Sequence, residues 1–322
     1  MTKANPGTKV LGSLVKKINA SGVPVDWQLR LIVLFEYICK FYREGGWAYA
    51  QRSRRYSALS FCDEEVLCIY LWGIMGKRRE VSDIYQDTAD HLKEWFPDLP
   101  SYTAYIQRLN GLSDVFVPLI EAIQHQFPNP EAQSLVRLMD SFPVTLAHGK
   151  RSQTACVASE LANKGYCASK GMYYYGVKVH LLGLRNPGHL PVPQAMGLSS
   201  ASDHDLAVFR QLLPQLQGGE VYLDKAYLDE LLKQTAQQEQ QLTIFTPCKK
   251  AKGQAYVDAA DQGLSVAVSR VRQPIESLFN WLEEKTGIQR ASKVRSYRGL
   301  MVHVFGRLAA AMWLMLAEPQ YS

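Results

Sequence analysis

Apolar residues in the first third of the chain recur at helical spacing. Leu31, Leu34, Phe35, Ile38 and Phe41 share one face of a helix expected over about Leu29 to Tyr42. A second helix is expected from Ser60, with Asp63 three residues on in a capping-box arrangement. Its apolar residues are Val66, Leu67, Ile69, Tyr70 and Ile74. A third follows Pro100, with Ser101 as N-cap and Tyr105, Ile106 and Leu109 on its apolar face. Phe127-Pro128-Asn129-Pro130 then interrupts any helix and marks a boundary.

Beyond that boundary the period changes. Ser134 to Met139 is a short β-type run ending at Asp140, and in Tyr173 to Leu184 the residues Val177, Val179 and Leu181 alternate with Lys178 and His180. Leu190 to Leu198, Glu220 to Leu223 and Leu242 to Thr246 are further strands. Helices are expected over Asp203 to Leu216, Tyr227 to Gln238, about Gln273 to Lys285, and Gly299 to Ala317. The order predicts an α/β fold, a mixed sheet flanked by helices, preceded by an all-α region. It divides the chain into a flexible N-terminus at 1–22, a helical domain at 23–128 and an α/β domain at 131–318.

Composition narrows the class. With 47% hydrophobic and 20% charged residues, the 322-residue chain has the make-up of a folded globular protein. Its six cysteines include no CxxC pair, which favours reduced thiols over zinc or a disulfide framework. The N-terminus carries no export pattern, so a cytoplasmic location is expected. The apolar stretch before Ala317 contains His303 and Arg307 and reads as a buried helix, with no membrane span expected. A formal charge of +6 permits nucleic-acid binding, and the placement of the charge must decide.

Candidate chemistry lies in the carboxylates. Asp140 and Asp224 each end an expected strand, where side chains from distant sequence meet on rigid supports. Singly, either could be a turn or capping residue. Glu276 sits at the edge of a stripe formed by Ile275, Leu278, Phe279 and Leu282, with Pro274 expected in the first turn of that helix. Three hard oxygen ligands on two strands and a helix suit Mg²⁺ or Mn²⁺. Two such ions about 4 Å apart can activate an attacking oxygen and stabilise a leaving one.

Five strings occur in order: Met139-Asp140-Ser141-Phe142-Pro143, Tyr175-Gly176-Val177-Lys178-Val179-His180, Ala201-Ser202-Asp203-His204-Asp205, Leu223-Asp224-Lys225-Ala226-Tyr227 and Arg272-Gln273-Pro274-Ile275-Glu276. Arg295-Ser296-Tyr297-Arg298-Gly299-Leu300 follows, with His303 just after it. Together they resemble bacterial insertion-sequence transposases of the DDE type, most closely insertion-sequence family 982 and more broadly families four and five. The resemblance runs from about residue 25 to 315. It implies an RNase H-like catalytic domain with Asp140, Asp224 and Glu276 as catalytic metal ligands. It also implies Mg²⁺-dependent cleavage at element ends, then attack of the freed 3′-hydroxyl on target DNA. Arg272 matches the family's arginine four residues before the glutamate, and is carried over as a DNA contact. The family's tyrosine and lysine positions hold Ser269 and Glu283 here, with Lys285 two residues further on, so the end contacts those residues make elsewhere are not carried over.

Basic residues supply a second line of argument. From Thr286 to Ala317 there is no acidic residue, while Arg290, Lys293, Arg295, Arg298 and Arg307 are basic. Lys249, Lys250 and Lys252 form another cluster ahead of the candidate catalytic helix. Both clusters are expected DNA contacts. Arg52, Arg54 and Arg55, and likewise Lys77, Arg78 and Arg79, are as compatible with ordinary surface. Tyr102, Tyr105 and Arg108 fit either a DNA-reading helix or, for Tyr105, the core; His180 and His204 are expected to be structural. The partners expected are element ends and target DNA, with a homodimer or larger assembly on DNA. Rival readings are a DNA-binding derivative that no longer transposes, and a glycosidase with paired carboxylates and no metal.

Overall fold

The helices begin where the sequence supplies caps. Asp26 accepts from the Gln28 amide at 3.3 Å and starts α1, Trp27–Arg43. The second helix, α2, covers Asp63–Met75, later than expected, because the side chain that reaches back is Glu65, whose Oε2 accepts from the Cys62 amide at 2.6 Å. Ser101 caps α4, Tyr102–Gly111, as its pattern predicts. Two helices are additions to the sequence reading: α3, Val81–His91, which buries only Ile84 and Thr88, and α5, Phe116–Gln124, which carries Pro118 in its first turn. The computed structural model describes residues 26–51, 60–127, 135–168, 170–249 and 258–317. The expected flexible segment 1–22 and the helix break at Pro128 to Pro130 lie outside these.

The chain divides into two units, and the division falls within a helix. Among the described residues, one unit holds those up to Phe127 together with Leu282–Ala317; the other ends at Trp281. The last helix, α9, Tyr297–Ala317, therefore sits with the N-terminal helices, and not with the sheet where the sequence reading had put it. The physical reason is its all-round apolar surface: every residue from Arg307 to Leu316 is buried, which requires helices on all sides. It is long and apolar enough to cross a bilayer, but 89% of that apolar stretch is buried within the protein. At its π-helical turn, Val302–Gly306, a Cβ on Gly306 would meet the Tyr70 ring at 2.5 Å. The missing side chain lets Tyr70 Oη donate to the Val302 carbonyl at 3.1 Å. Arg307, buried on the next turn, donates to the carbonyls of Thr286 and Arg79 and to His303 Nδ1, while His303 Nε2 bonds the Ile288 carbonyl at 2.9 Å.

The second unit is a mixed sheet flanked by helices, the RNase H-like arrangement the family resemblance implied. Its strands are β1 Val136–His148, β2 Asn163–Cys167, β3 Met172–Leu184, β4 Val192–Ser200, β5 Gly219–Tyr222 and β6 Leu242–Phe245. They run β2-β3-β1-β5-β6, with β4 also paired to β3. The β1–β3 and β3–β4 pairs are antiparallel; β1–β5 and β5–β6 are parallel. Gly176, in one of the motif strings, has a packing reason: a Cβ there would lie 2.1 Å from the Val144 carbonyl oxygen. Along β1 the two faces alternate. Met139 joins a core with Leu182, Phe209 and Tyr227, under α6, Asp205–Leu212, and α7, Glu230–Gln240. Phe142, on the opposite face, meets Phe279 of α8 edge-on at 4.8 Å.

Helix α8, Ala259–Thr286, is longer than expected, and Pro274 lies in its interior, not in its first turn. Between residues 259 and 270 only Val268 is buried, so no apolar stripe announces the first half of the helix. Ile275, Leu278, Phe279 and Leu282 are buried as their spacing predicts.

Candidate active site

Strand β1 runs beside β5 only over its first residues: Val136 faces Glu220, Arg137 faces Val221 and Leu138 faces Tyr222. Two residues beyond the last pair, Leu138 and Tyr222, come Asp140 and Asp224, and the Asp224 charge acts on the Asp140 carboxyl. Neighbouring strands lie about 4.8 Å apart. Past Leu138 no strand among the described residues pairs with β1 on this side, which leaves Asp140 half-buried but reachable. The open edge also tolerates Pro143, which has no N–H to give to a neighbour. Each aspartate is oriented by the next amide: Ser141 N donates to Asp140 Oδ1 at 2.8 Å, and Lys225 N to Asp224 Oδ1 at 2.7 Å.

Glu276 and Arg272 come from one turn of α8. The Arg272 guanidinium donates through Nη1 to Asp140 Oδ2 and through Nη2 to Glu276 Oε1, the latter at 2.7 Å. Arg272 therefore joins the first and third candidate carboxylates, which are 136 residues apart in sequence by their numbers. Burial works against its charge, but Asp140, Glu276 and Asp224 more than offset this and hold its pKa above the usual arginine value. Burial also raises the Asp140 carboxyl, with the Asp224 charge acting in the same direction; Arg272 and the Ser141 amide oppose them, and the pKa stands at about 6. Among the described residues, no three His, Cys, Asp or Glu side chains gather at one point as metal ligands. The guanidinium stands between two of the carboxylates that would have to converge.

The donor set nonetheless fits a small, hard divalent cation. The charges of Asp140 and Asp224 oppose each other, which a cation held by both would relieve, and Glu276 is exposed on the α8 turn beside them. A further polar atom is unpartnered: Tyr227 Oη is buried without a hydrogen bond among the described residues. Burial and the charges of Asp205, Asp140 and Asp224 push its pKa well above the usual phenol value, which keeps it a donor.

Around these residues is a polar layer built from other members of the motif strings. Asp205 Oδ2 accepts from Ser141 Oγ at 3.1 Å and Asp205 Oδ1 from Lys178 Nζ at 3.0 Å. Asp205 thus braces the residue whose amide holds Asp140. The only sequence signal was the presence of Lys178 and Asp205 in the shared strings. His180 is buried, bonds Ser199 Oγ at 2.8 Å, and is pushed down to about 4 by burial. It is a neutral structural residue, and His204 is exposed at the start of α6.

The expected DNA contacts are scattered. Arg272 is committed to carboxylates, as above. Lys249 is exposed, while Lys250, Lys252, Arg52, Arg54 and Arg55 lie outside the described residues. Arg290, Lys293, Arg295 and Arg298 are exposed in the helical unit. Lys77 pairs with Glu284 at 3.2 Å, Arg78 pairs with Asp87, and Arg79 donates to the Glu284 carbonyl at 3.3 Å. Tyr105 is core, and Arg108 is held by Asp63 at 2.7 Å, so of that helix's three candidates Tyr102 alone faces outward.

Comparison with known proteins adds one finding. No curated protein and no solved structure matches the chain. Residues 131–313, more than half of the sequence and all three candidate carboxylates among them, match the family described as "Transposase DDE domain". The chain belongs to the transposase DDE domain family.

Proposed function

We propose that this protein moves a bacterial insertion sequence, grouping with insertion-sequence family 982. It would cleave phosphodiester bonds at the element's ends and transfer the freed 3′-hydroxyl into target DNA. DNA transposition follows from the family, and members generally use divalent metals. The finer assignment rests on one observation: Asp140 and Asp224 each follow the paired ends of β1 and β5 by two residues, close enough for the Asp224 charge to act on Asp140, with Glu276 tied to Asp140 through Arg272.

Asp140, Asp224 and Glu276 would hold two Mg²⁺ or Mn²⁺ ions, which supply charge stabilisation to the attacking and leaving oxygens. The chain's own residues set the rest. The strands present the two aspartates at a fixed separation, and Asp205 braces Ser141 beneath Asp140. Glu276, on an exposed helix face, is free to turn inward. Arg272 neutralises the site until a cation arrives, and once released can meet a DNA phosphate. The helical unit would recognise element ends or join protomers into a dimer or larger assembly on DNA, and the protein would act at the bacterial nucleoid.

The experiment is cleavage of an end-labelled duplex carrying the element's terminal inverted repeat, read from the DNA flanking the gene. Cutting is expected with Mg²⁺ or Mn²⁺, with binding but little cutting in Ca²⁺. Asp140→Asn, Asp224→Asn or Glu276→Gln should abolish cutting and leave binding. Full cutting after exhaustive chelation, or by a folded variant of the three, would overturn the assignment.

A further inference from the structure

The helical unit contains a concavity of about 550 Å³ that the carboxylate site does not use. Its walls come from both ends of the sequence: the residues leading into α3, the outward face of α4, and the segment before and within the first turn of α9. That volume is in the range of sites that enclose a small ligand or a nucleotide-sized group. Arg79, Arg290, Lys293 and Arg295 lie on its rim and are exposed; Glu80 and Asp83 are the only acidic residues among its lining. Arg79 and Arg295 are anchored through carbonyl contacts. Arg290 and Lys293 make no ion pair or side-chain hydrogen bond among the described residues. On the α4 wall, Tyr102 is 39% exposed, and the Asn110 carboxamide also lines the space. The floor is rigid, because His303 and Arg307 are buried in the network that ties α9 to the Arg79, Thr286 and Ile288 carbonyls.

We infer that this groove is a second DNA-binding site, taking the backbone of an unpaired strand on Arg290, Lys293 and Arg295 with one base against Tyr102. Cations that track a backbone beside an exposed aromatic ring are the arrangement that binds single strands. The Asn110 amide has the donor and acceptor needed at a base edge. An acidic peptide would use the cations but has no use for the ring. The choice of DNA rests on the proposed function; the residues rest on the groove.

The test is anisotropy of a labelled oligothymidine with the full-length protein in chelator, across a range of salt, so that no cleavage enters. Each phosphate contact on a single strand contributes about 0.7 to the slope of log affinity against log salt. Arg290→Ala/Lys293→Ala should therefore flatten the slope by about 1.4. Tyr102→Ala should weaken binding by roughly 5- to 100-fold, the worth of one stacked base, and leave the slope unchanged. Tyr102→Phe should bind like the parent, which separates stacking from a folding defect. An unchanged slope in the folded double variant, or full affinity in Tyr102→Ala, would overturn the groove. So would poly-glutamate binding as tightly as the oligonucleotide. Because the assay needs no metal, its failure leaves cleavage at Asp140 standing, and failed cleavage leaves the groove standing.

Discussion

Replacing Asp140 by Asn should make the metal-free protein more stable at pH 8. An ordinary Asp carboxyl titrates at 3.8, and Asp140 at about 6, with its side chain only 21% exposed. Each pKa unit is about 1.4 kcal/mol, so the folded protein prefers a neutral group here by about 3 kcal/mol. Arg272 and the Ser141 amide already oppose this preference, so burial and the Asp224 charge must outweigh both. Asn resembles the neutral carboxyl in size and charge.

The sign follows from proton linkage. Below pH 3.8 the carboxyl is neutral in both states and the substitution gains nothing. As pH rises toward 6 the unfolded chain sheds the proton first, and wild-type stability falls. Above pH 6 the loss is complete. The advantage of Asp140→Asn should thus be about 3 kcal/mol at pH 8, roughly half that at pH 5, and near zero by pH 3.5. Urea unfolding in chelator, followed by far-UV circular dichroism at the three pH values, measures it. Adding Mg²⁺ or Mn²⁺ should reverse the order, since only the wild type gains a ligand that binds the folded state. A variant no more stable than wild type at pH 8 would mean that the charge on Asp140 is satisfied without metal, and the argument for a cation there would fail.

Other expectations follow from the same geometry. Arg272→Gln should lower metal-free stability at pH 8 yet let Mn²⁺ bind at lower concentration, because no internal cation competes; an Mn²⁺ titration by electron paramagnetic resonance with unchanged affinity would contradict this. Gly176→Ala should cost about 1–3 kcal/mol or more, because its Cβ would lie 2.1 Å from the Val144 carbonyl oxygen; a thermal melt reads it. Arg307→Met should orphan the buried Thr286 carbonyl, at about 1–3 kcal/mol, and leave the half-buried Arg79 carbonyl to water, and hydrogen exchange should show faster opening of the helical unit. Asp205→Asn should lower kcat more than KM for the cleavage reaction, since it acts on Asp140 only through Ser141.

Where one face of an element is buried and the other exposed, its position was legible in the sequence. Helix α4 shows this, with Tyr105 and Leu109 buried behind its Ser101 cap; Met172–Leu184 was legible from its Val177, Val179 and Leu181 alternation although His180 and Leu182 on its other face are buried too. Where the buried positions of an element carry no bulky apolar side chain, the pattern was silent. Strand β2, Asn163–Cys167, offers Asn, Lys, Gly, Tyr and Cys, with no apolar alternation, and pairs with β3 through its backbone. Strand β1 continues past Asp140 through Ser141 and Pro143 because β3 pairs with it along that length, a long-range cause that no local pattern carries.

The candidate site divides in the same way. Asp140 and Asp224 stood out because each follows a run of strand residues, Glu276 because it edges an apolar helical stripe, and the order of the motif strings joined the three. What no string could express is that these groups form an electrostatic unit held by Arg272. The family resemblance gave Arg272 to DNA, because it matches the family's arginine four residues before the glutamate. Its second bond is to Asp140, 132 residues earlier, and exists only because α8 lies across the β1 face that carries Phe142. That bond changes what the arginine can do: a guanidinium already holding two carboxylates cannot also grip a phosphate. The two proposed roles would therefore be sequential: Arg272 would be released from Asp140 only when that carboxylate holds a metal, and only then be available to DNA. The order predicts that divalent cation should strengthen DNA binding by the wild type more than by Arg272→Gln. Equal strengthening in the two would separate Arg272 from the metal and leave it a purely structural clamp.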